Sequence, residues 1–198
     1  MSTIKTTNIT HGSNTGTENL VLASNGNVTV AGALAAGSFT GAGISEIDNW
    51  RVTSNLVGNG DPVSANWERV DRAPGLSKLG TGMSVSSGIW TFPSTGIWQV
   101  HCHFHYGDAG AVFYASWALQ GTSDNGSNWH NTYQGLGASI SDESSNCYGQ
   151  VQGTGLFDIT DTTQCKIKLR INSNPTVTWT GDSNDSKNSM QFIKLAET

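Results

Sequence analysis

The stretch that decides the fold is Ile97-Trp98-Gln99-Val100-His101-Cys102-His103-Phe104-His105-Tyr106. Its even-numbered residues from 98 to 106 are apolar or aromatic, whereas positions 99, 101, 103 and 105 are Gln or His. Successive side chains of a strand point to opposite faces, so this alternation predicts a β-strand with one face in a core and the other polar.

Other segments repeat this pattern. Residues 113–119 place Phe, Ala, Trp and Leu at alternate positions, and residues 165–171 alternate Cys, Ile and Leu with Lys and Arg. Residues 190–195 carry apolar side chains on both faces, which predicts a strand that packs on the core on one side and on another subunit on the other. Strands at this spacing, joined by Gly, Ser, Asn and Asp turns, predict an antiparallel β-sandwich or jelly roll.

The composition agrees with an all-β fold. Only 13% of the 198 residues are charged, against about 25% in a typical soluble domain. Strong helix formers are scarce, which excludes a helical bundle. The 36% hydrophobic content with seven Trp is sufficient for a packed core. The net charge of −5 and the absence of any Lys/Arg run argue against a nucleic-acid or anionic-membrane partner.

Three features of the sequence concern the compartment. The first residues lack the apolar core of a secretory signal, and no stretch approaches the ~18 apolar residues of a membrane span. Both predict synthesis in a cytoplasm without membrane insertion. Cys102, Cys147 and Cys165 are odd in number, lack CxxC spacing and lie in strand-like segments. We therefore predict three reduced core thiols.

Residues 1–45 differ from the remainder of the chain. They contain no Trp, Tyr or Cys, and Phe39 is their only aromatic residue. Asn25-Gly26 lies between the apolar runs 20–22 and 28–30, which predicts a hairpin. We expect an N-terminal attachment arm or stem at 1–45, ordered against copies of itself or a larger partner, and a head domain at 46–198. A simple flexible tether is the alternative for the arm.

The head segment resembles a known family. Residues 80–84 and 88–100, with the steps Trp90-Thr91-Phe92-Pro93 and Gly96-Ile97-Trp98, are similar to the early strands of the complement 1q and tumour-necrosis-factor (TNF) jelly rolls. Residues 155–159 and the closing residues 192–195 fit the same plan. The resemblance covers roughly residues 46–198. It implies an all-β, antiparallel jelly-roll sandwich head of TNF-like type that forms a homotrimer.

A variant of this family on tailed bacteriophages is more similar still. Such virion fibre and appendage proteins begin with a polar segment like residues 2–5, continue with a repeat like 20–32, and end in a head carrying counterparts of residues 67–69 and 90–93. The resemblance implies that the arm contacts other virion proteins and that the head faces outward. The arm is short and lacks Gly-X-Y repeats, which favours a short fibre, knob or decoration over a long tail fibre.

Three histidines form the first candidate site. His101, His103 and His105 share one strand face about 7 Å apart, so one chain cannot bring all three to one metal ion. A three-fold axis can present the same histidine from each subunit. The alternative is a polar outer face or an interface in which the rings hydrogen-bond to neighbours. We place Phe192 and Leu195 with the histidines at the predicted trimer interface or axis.

A short acidic loop is the second candidate. Asp182 and Asp185 supply hard oxygen ligands at the close spacing that suits Ca²⁺, but the loop lacks the Gly and distal Glu of a full calcium loop. An ordinary Asx turn is the alternative. We otherwise expect no cofactor.

An aromatic and amide segment is the third candidate. Alternation places Trp129, Asn131 and Tyr133 on one side of a strand, where flat rings and amides suit a glycan. Packing of these rings against the core or a neighbouring chain is the alternative.

The sequence contains no GxSxG, HExxH, P-loop or dinucleotide-binding motif, which predicts that the protein is not an enzyme. We expect a bacteriophage virion structural protein, made in the cytoplasm of the bacterial host. Its predicted role is a trimeric short tail fibre or appendage for host attachment through receptor binding, with a surface glycan as the expected receptor. A capsid decoration protein or head fibre is the alternative, and a cytokine-like ligand is disfavoured by the missing secretory signal.

Overall fold

The computed structural model describes residues 43–139 and 146–198, together with the backbone of three short strands nearer the N-terminus. These are β1 (Asn8–Ile9), β2 (Leu20–Leu22) and β3 (Val28–Val30), which form an antiparallel sheet in the order β1-β2-β3. Leu22 pairs with Val28, which confirms the predicted pairing, although the Asn-Gly turn lies outside the described residues. The chain divides into two units, Met1–Ala42 and Gly43–Thr198.

The second unit consists of two antiparallel sheets. The larger sheet has the order β13-β10-β16-β4-β6, with β7 beside β4 and with β15 and β5 continuing from the end of β10. The smaller sheet has the order β12-β11-β14-β9-β8. The strands are β4 (Ile47–Val52), β5 (Leu56–Val57), β6 (Trp67–Arg69), β7 (Lys78–Leu79), β8 (Ser84–Ser86), β9 (Ile89–Thr91), β10 (Gly96–Asp108), β11 (Val112–Thr122), β12 (His130–Ser139), β13 (Cys147–Ile159), β14 (Lys166–Asn174), β15 (Thr178–Trp179) and β16 (Ser189–Ala196).

The sandwich is a jelly roll because the chain alternates between the two sheets. It crosses from one sheet to the other after β7, β9, β10, β12, β13 and β14. The predicted antiparallel jelly-roll head is confirmed. Within the described ranges there is no helix long and apolar enough to span a membrane.

The core between the sheets is rich in aromatic side chains. Trp90 is fully buried, and its ring centroid lies 5.0 Å from Trp50, 5.3 Å from Trp67 and 5.0 Å from Phe192. Edge-on and tilted pairs of this kind add to the free energy gained by apolar burial. On β10 the residues predicted to face inward are buried, because the pleat aims every second side chain at the smaller sheet.

Two glycines make room for the Trp117 ring at one edge of the sandwich. A Cβ at Gly135 on β12 would lie 2.6 Å from the Trp117 ring, and one at Gly153 on β13 would lie 2.8 Å from it. No side chain fits at such distances. The glycines therefore allow the backbones of the two edge strands to approach the indole closely.

The predicted state of the cysteines is confirmed for all three residues. Cys102, Cys147 and Cys165 are free and buried. Burial raises the pKa of the Cys102 thiol. A buried thiol that stays protonated acts as a small apolar side chain rather than as a nucleophile.

An ion pair joins β4 to β6, and its carboxylate also holds the segment before β8. Asp48 is 1% exposed, and its two carboxylate oxygens accept hydrogen bonds from Arg69 at 2.7 and 3.0 Å. Its Oδ2 also accepts a bond from the Met83 amide at 2.6 Å. Arg69 in turn lies over the Trp50 ring, 4.5 Å from its centroid. A buried carboxylate is tolerated here because each of its oxygens has a donor.

Candidate binding surfaces of the head

The outer side of the larger sheet carries the three histidines. We call this surface, formed by the outward side chains of β10, β13 and β16, the histidine face. Nδ1 of His101 lies 3.0 Å from the Thr154 hydroxyl, and Nε2 of His103 lies 3.3 Å from Oε1 of Gln150. The rings of His103 and His105 meet edge to face at 5.2 Å. The structure thus places the histidines in one row, of which His101 and His103 are hydrogen-bonded to the neighbouring strand β13.

A cleft of about 380 Å³ opens on the histidine face. His101 and Gln152 line it from the sheet, and Leu76 lines it from the segment between β6 and β7. At its base Nε2 of Gln191 donates to Oδ1 of Asn49 at 2.8 Å. The lining is mostly neutral, so the cleft suits polar or apolar groups better than an ion.

Burial lowers the pKa of His101, and the nearby His103 adds to this shift. His101 therefore resists protonation in the folded protein. This favours neutral imidazole in the cleft at neutral pH.

Exposed apolar side chains flank the histidine row on the same face. Tyr148 is 71% exposed, Leu156 is 51% exposed and Leu195 is 48% exposed. Leu156 lies opposite Gln99, next to the row. A single copy of the head leaves this apolar surface in water, which is unfavourable.

The prediction that Phe192 lies at a trimer interface or axis was wrong. Phe192 is completely buried and packs on Trp90 inside the sandwich. Even-numbered residues of β16 face the core, whereas Gln191, Ile193 and Leu195 face outward. Of the two residues predicted on β16, only Leu195 is accessible to a second subunit.

The acidic loop has the geometry of an Asx turn. Oδ1 of Asp182 accepts hydrogen bonds from the backbone amides of Asn184 at 2.8 Å and Asp185 at 3.2 Å. Its Oδ2 lies 2.7 Å from Nζ of Lys187, and these bonds lower the pKa of Asp182 to about 2. Asp185 lies 3.8 Å from Arg72. Over residues 43–139 and 146–198 there is no group of three His, Cys, Asp or Glu side chains placed to hold a metal ion.

The third predicted site is split between two faces. β12 pairs with β11 through Leu119–Tyr133 and then Gln120–Asn131, so a bulge at Thr132 shifts the alternation by one residue. Tyr133 consequently faces inward, 5.4 Å from the ring of Phe157, and donates its hydroxyl proton to the Leu156 carbonyl at 2.8 Å. Asn131 faces outward and accepts a hydrogen bond from Gln120 at 2.8 Å.

Trp129 lies on the outer side of the smaller sheet. Nζ of Lys168 on β14 sits 4.9 Å from its ring centroid. The preceding turn is held by Asp124, whose carboxylate accepts bonds from Thr122 and from the backbone and side chain of Asn128. These bonds lower the pKa of Asp124 to about 2. The turn and the lysine together fix the position of the indole.

Sequence reasoning missed two groups on the surface of the smaller sheet. The Lys168 ammonium, which contacts Trp129, also forms an ion pair with Asp61 at 2.8 Å. Arg170, two residues further along β14, projects from the same face. The alternation of Lys166, Lys168 and Arg170 was visible in the sequence, but Asp61, the partner of Lys168, comes from a loop more than 100 residues earlier.

No family model matches the chain, and no curated protein matches it. Among solved structures it is similar to Eiger TNF from S. frugiperda, with a TM-score of 0.59, 14% identity, and coverage of 78% of this chain and 94% of that chain. It is also similar to murine APRIL at pH 5.0, with a TM-score of 0.55, 15% identity, and coverage of 76% and 98%. The head therefore has a TNF-like jelly-roll fold.

Proposed function

We propose that this chain is a noncatalytic bacteriophage virion structural protein, a homotrimeric short tail fibre or appendage. Residues 1–45 attach it to other virion proteins. The head assembles through the histidine face and presents the outer side of the smaller sheet to a glycan of the host surface. The observation that carries the proposal is the exposed apolar surface of Tyr148, Leu156 and Leu195 beside a neutral cleft.

The chemistry of the histidine face supports self-association. Between its apolar side chains lie neutral groups, the imidazoles of β10 and the amides of Gln150, Gln152 and Gln191, and no Lys or Arg projects from this part of the described sheet. The core of a protein interface is depleted in charge and rich in aromatic and apolar groups. Burying the neutral part of this face against a second copy gains hydrophobic free energy. Asp158, the exposed carboxylate next to Leu156 on β13, then lies at the solvent-accessible rim.

The virion role is supported by the resemblance of residues 20–32, 67–69 and 90–93 to phage appendage proteins. The host-binding role is supported by Trp129 and Asn131, which lie on the sheet opposite the histidine face. They stay accessible when the histidine face is covered. An aromatic ring covers the CH groups of a sugar while a neighbouring amide bonds its hydroxyls.

The test compares phage particles with and without this protein. We expect particles that lack it to lose adsorption to host cells, and the purified full-length protein to block adsorption of intact particles. If particles without it adsorb normally and lose only a surface knob or their robustness, the host-binding role is wrong and the capsid decoration role holds.

A further inference from the structure

A second cleft lies on the outer side of the smaller sheet, separate from the histidine face. It has a volume of about 300 Å³, and Arg170 and Asn172 of β14 line it together with Asn59 and Asp61. We call it the Arg170 cleft. Its size is at the lower end of the range of about 300–1,000 Å³ for small-molecule sites.

The loop before β6 closes one wall of this cleft by pairing with β14. The amide of Gly60 donates to the Ile171 carbonyl at 3.0 Å, and the amide of Ile171 donates to the Gly60 carbonyl at 2.8 Å. Antiparallel pairing at Gly60 and Ile171 places Asn59 and Asp61 on the same outward face as Arg170 and Asn172. The four polar side chains therefore converge on one space.

The amide of Asn59 is held in a fixed orientation. Its Oδ1 accepts a hydrogen bond from the Ser173 amide at 2.9 Å. This leaves Nδ2 as the atom of that group that donates to a ligand. A preorganised donor of this kind costs little entropy when a ligand binds.

The charge around the cleft is positive, although the whole chain carries −5. Lys166, Lys168 and Arg170 project from one face of β14. Asp61 pairs with Lys168 at 2.8 Å, and the pKa of Asp161 is lowered by hydrogen bonds from Thr163, with a smaller contribution from Lys166. Within the described parts of the chain, no carboxylate lies within 4.0 Å of the Arg170 guanidinium.

Arg170 is half-buried, and the residues opposite it across the sheet are small. Arg170 lies opposite Ala118, and Asn172 lies opposite Ser116, both of which have small side chains. An arginine beside small residues presents its planar fork of donors to a ligand. Carboxylates match that fork with two parallel hydrogen bonds.

We propose that the Arg170 cleft binds the carboxylate of an acidic sugar, a uronate unit of a host-surface polysaccharide. Arg170 pairs with the carboxylate, and the amides of Asn59 and Asn172 hydrogen-bond ring hydroxyls. Lys168 links the cleft to Trp129, since its Nζ contacts both that ring and Asp61. This inference rests on the proposed glycan-binding role and specifies the class of glycan.

The test titrates the full-length protein with trigalacturonate and with its methyl ester, using calorimetry. We expect the acid to bind at least about tenfold more tightly, since hydrogen bonds between charged groups are the stronger kind. Equal binding of acid and ester overturns the inference. Inorganic phosphate that competes at the same concentration as the sugar also overturns it, because the cleft is then a general anion site.

Two substitutions in the Arg170 cleft and one control test whether trigalacturonate binds there. Arg170→Gln should weaken trigalacturonate binding about tenfold, whereas Arg72→Gln, the same change at a 61% exposed arginine elsewhere, should leave it unchanged. Asp61→Asn should tighten binding, because it removes the carboxylate that repels the ligand and frees Lys168. Tightening cannot result from damaged folding. Unchanged affinity in both Arg170→Gln and Asp61→Asn contradicts the assignment.

The two proposals fail in different ways. A full-length protein that blocks phage adsorption but binds acid and ester equally refutes the uronate inference alone. Particles that adsorb normally without the protein refute the host-binding role itself.

Discussion

The ring of Phe192 lies 5.0 Å from that of Trp90, centroid to centroid, at the centre of the sandwich. Three residues later on the same strand, Leu195 is 48% exposed on the histidine face. β16 therefore packs on the core with one side and leaves the other side accessible to solvent.

This relationship predicts that alanine substitutions on the two faces of β16 lower the free energy of unfolding by unequal amounts. Phe192→Ala should lower the free energy of unfolding by about 3–5 kcal/mol, because it leaves a cavity against Trp90. Leu195→Ala should cost at most about 1 kcal/mol in the separated subunit, since half of its surface is already in water. Urea unfolding at low protein concentration measures both values. Equal losses at the two positions would contradict the placement of β16.

The pair of Asp48 and Arg69 predicts a second large decrease in the free energy of unfolding. Asp48→Ala should lower the free energy of unfolding by about 3–5 kcal/mol, because it leaves the Arg69 guanidinium without its partner inside the protein. Asp182→Ala removes a partly exposed ion pair with Lys187 together with the two amide hydrogen bonds of its turn, and serves as the control, for which we expect a smaller change. A loss at Asp48 no larger than that at Asp182 would show that the pair is not buried.

The glycan-binding role predicts separable effects at Trp129 and Tyr133. Trp129→Ala should leave the fold intact and abolish inhibition of phage adsorption by the free protein, because the indole lies on the outer face beside Lys168. Tyr133→Phe is the control, since Tyr133 points inward and only its bond to the Leu156 carbonyl is lost. Circular dichroism checks the fold of both variants. Insoluble Trp129→Ala protein, or full inhibition by a folded variant, would argue against the role of Trp129.

Acid should weaken the association of subunits through the histidine face. The pKa of His101 is lowered in the folded protein, so below its ordinary value of about 6.5 the unfolded chain binds protons that the folded one resists. The stability that neutral His101 contributes is present above that pH and is lost as the pH falls through it. If subunit assembly buries the histidine row further, the oligomer should dissociate more readily below pH 6. An oligomer mass that stays constant from pH 8 to pH 5 would remove His101 from the interface, and His101→Gln should abolish any such dependence.

Much of the fold could be predicted from alternation, and the limits of that rule explain the two errors. β10 is regular, so counting by two placed its aromatic residues in the core and its histidines outside. The alternation rule placed Tyr133 on the wrong face, because the bulge at Thr132 adds one residue to the strand. No residue pattern in the sequence indicates this bulge. The rule also failed at Phe192, because both faces of β16 are apolar and periodicity alone does not say which one meets the core.

The charged groups were harder to predict because their partners are distant in the chain. Arg51 is 1% exposed, and its guanidinium bonds to Glu68 and Asp71 from a later segment. Nothing near Arg51 in the sequence indicates that this segment covers it. The Arg170 cleft has the same origin, since Asn59 and Asp61 lie more than 100 residues before the part of β14 that they meet in the structure.

The central claim is that the histidine face joins copies of this chain, and the mass of the full-length protein at neutral pH tests it most directly. Native mass spectrometry should give three times the chain mass of 20.9 kDa. Leu156→Asp should reduce this to the mass of one chain, whereas Leu136→Asp, the same change at a 67% exposed residue of β12 on the outer side of the smaller sheet, should leave the trimer intact. A monomer for the unaltered chain, or a trimer that survives Leu156→Asp, would contradict the account.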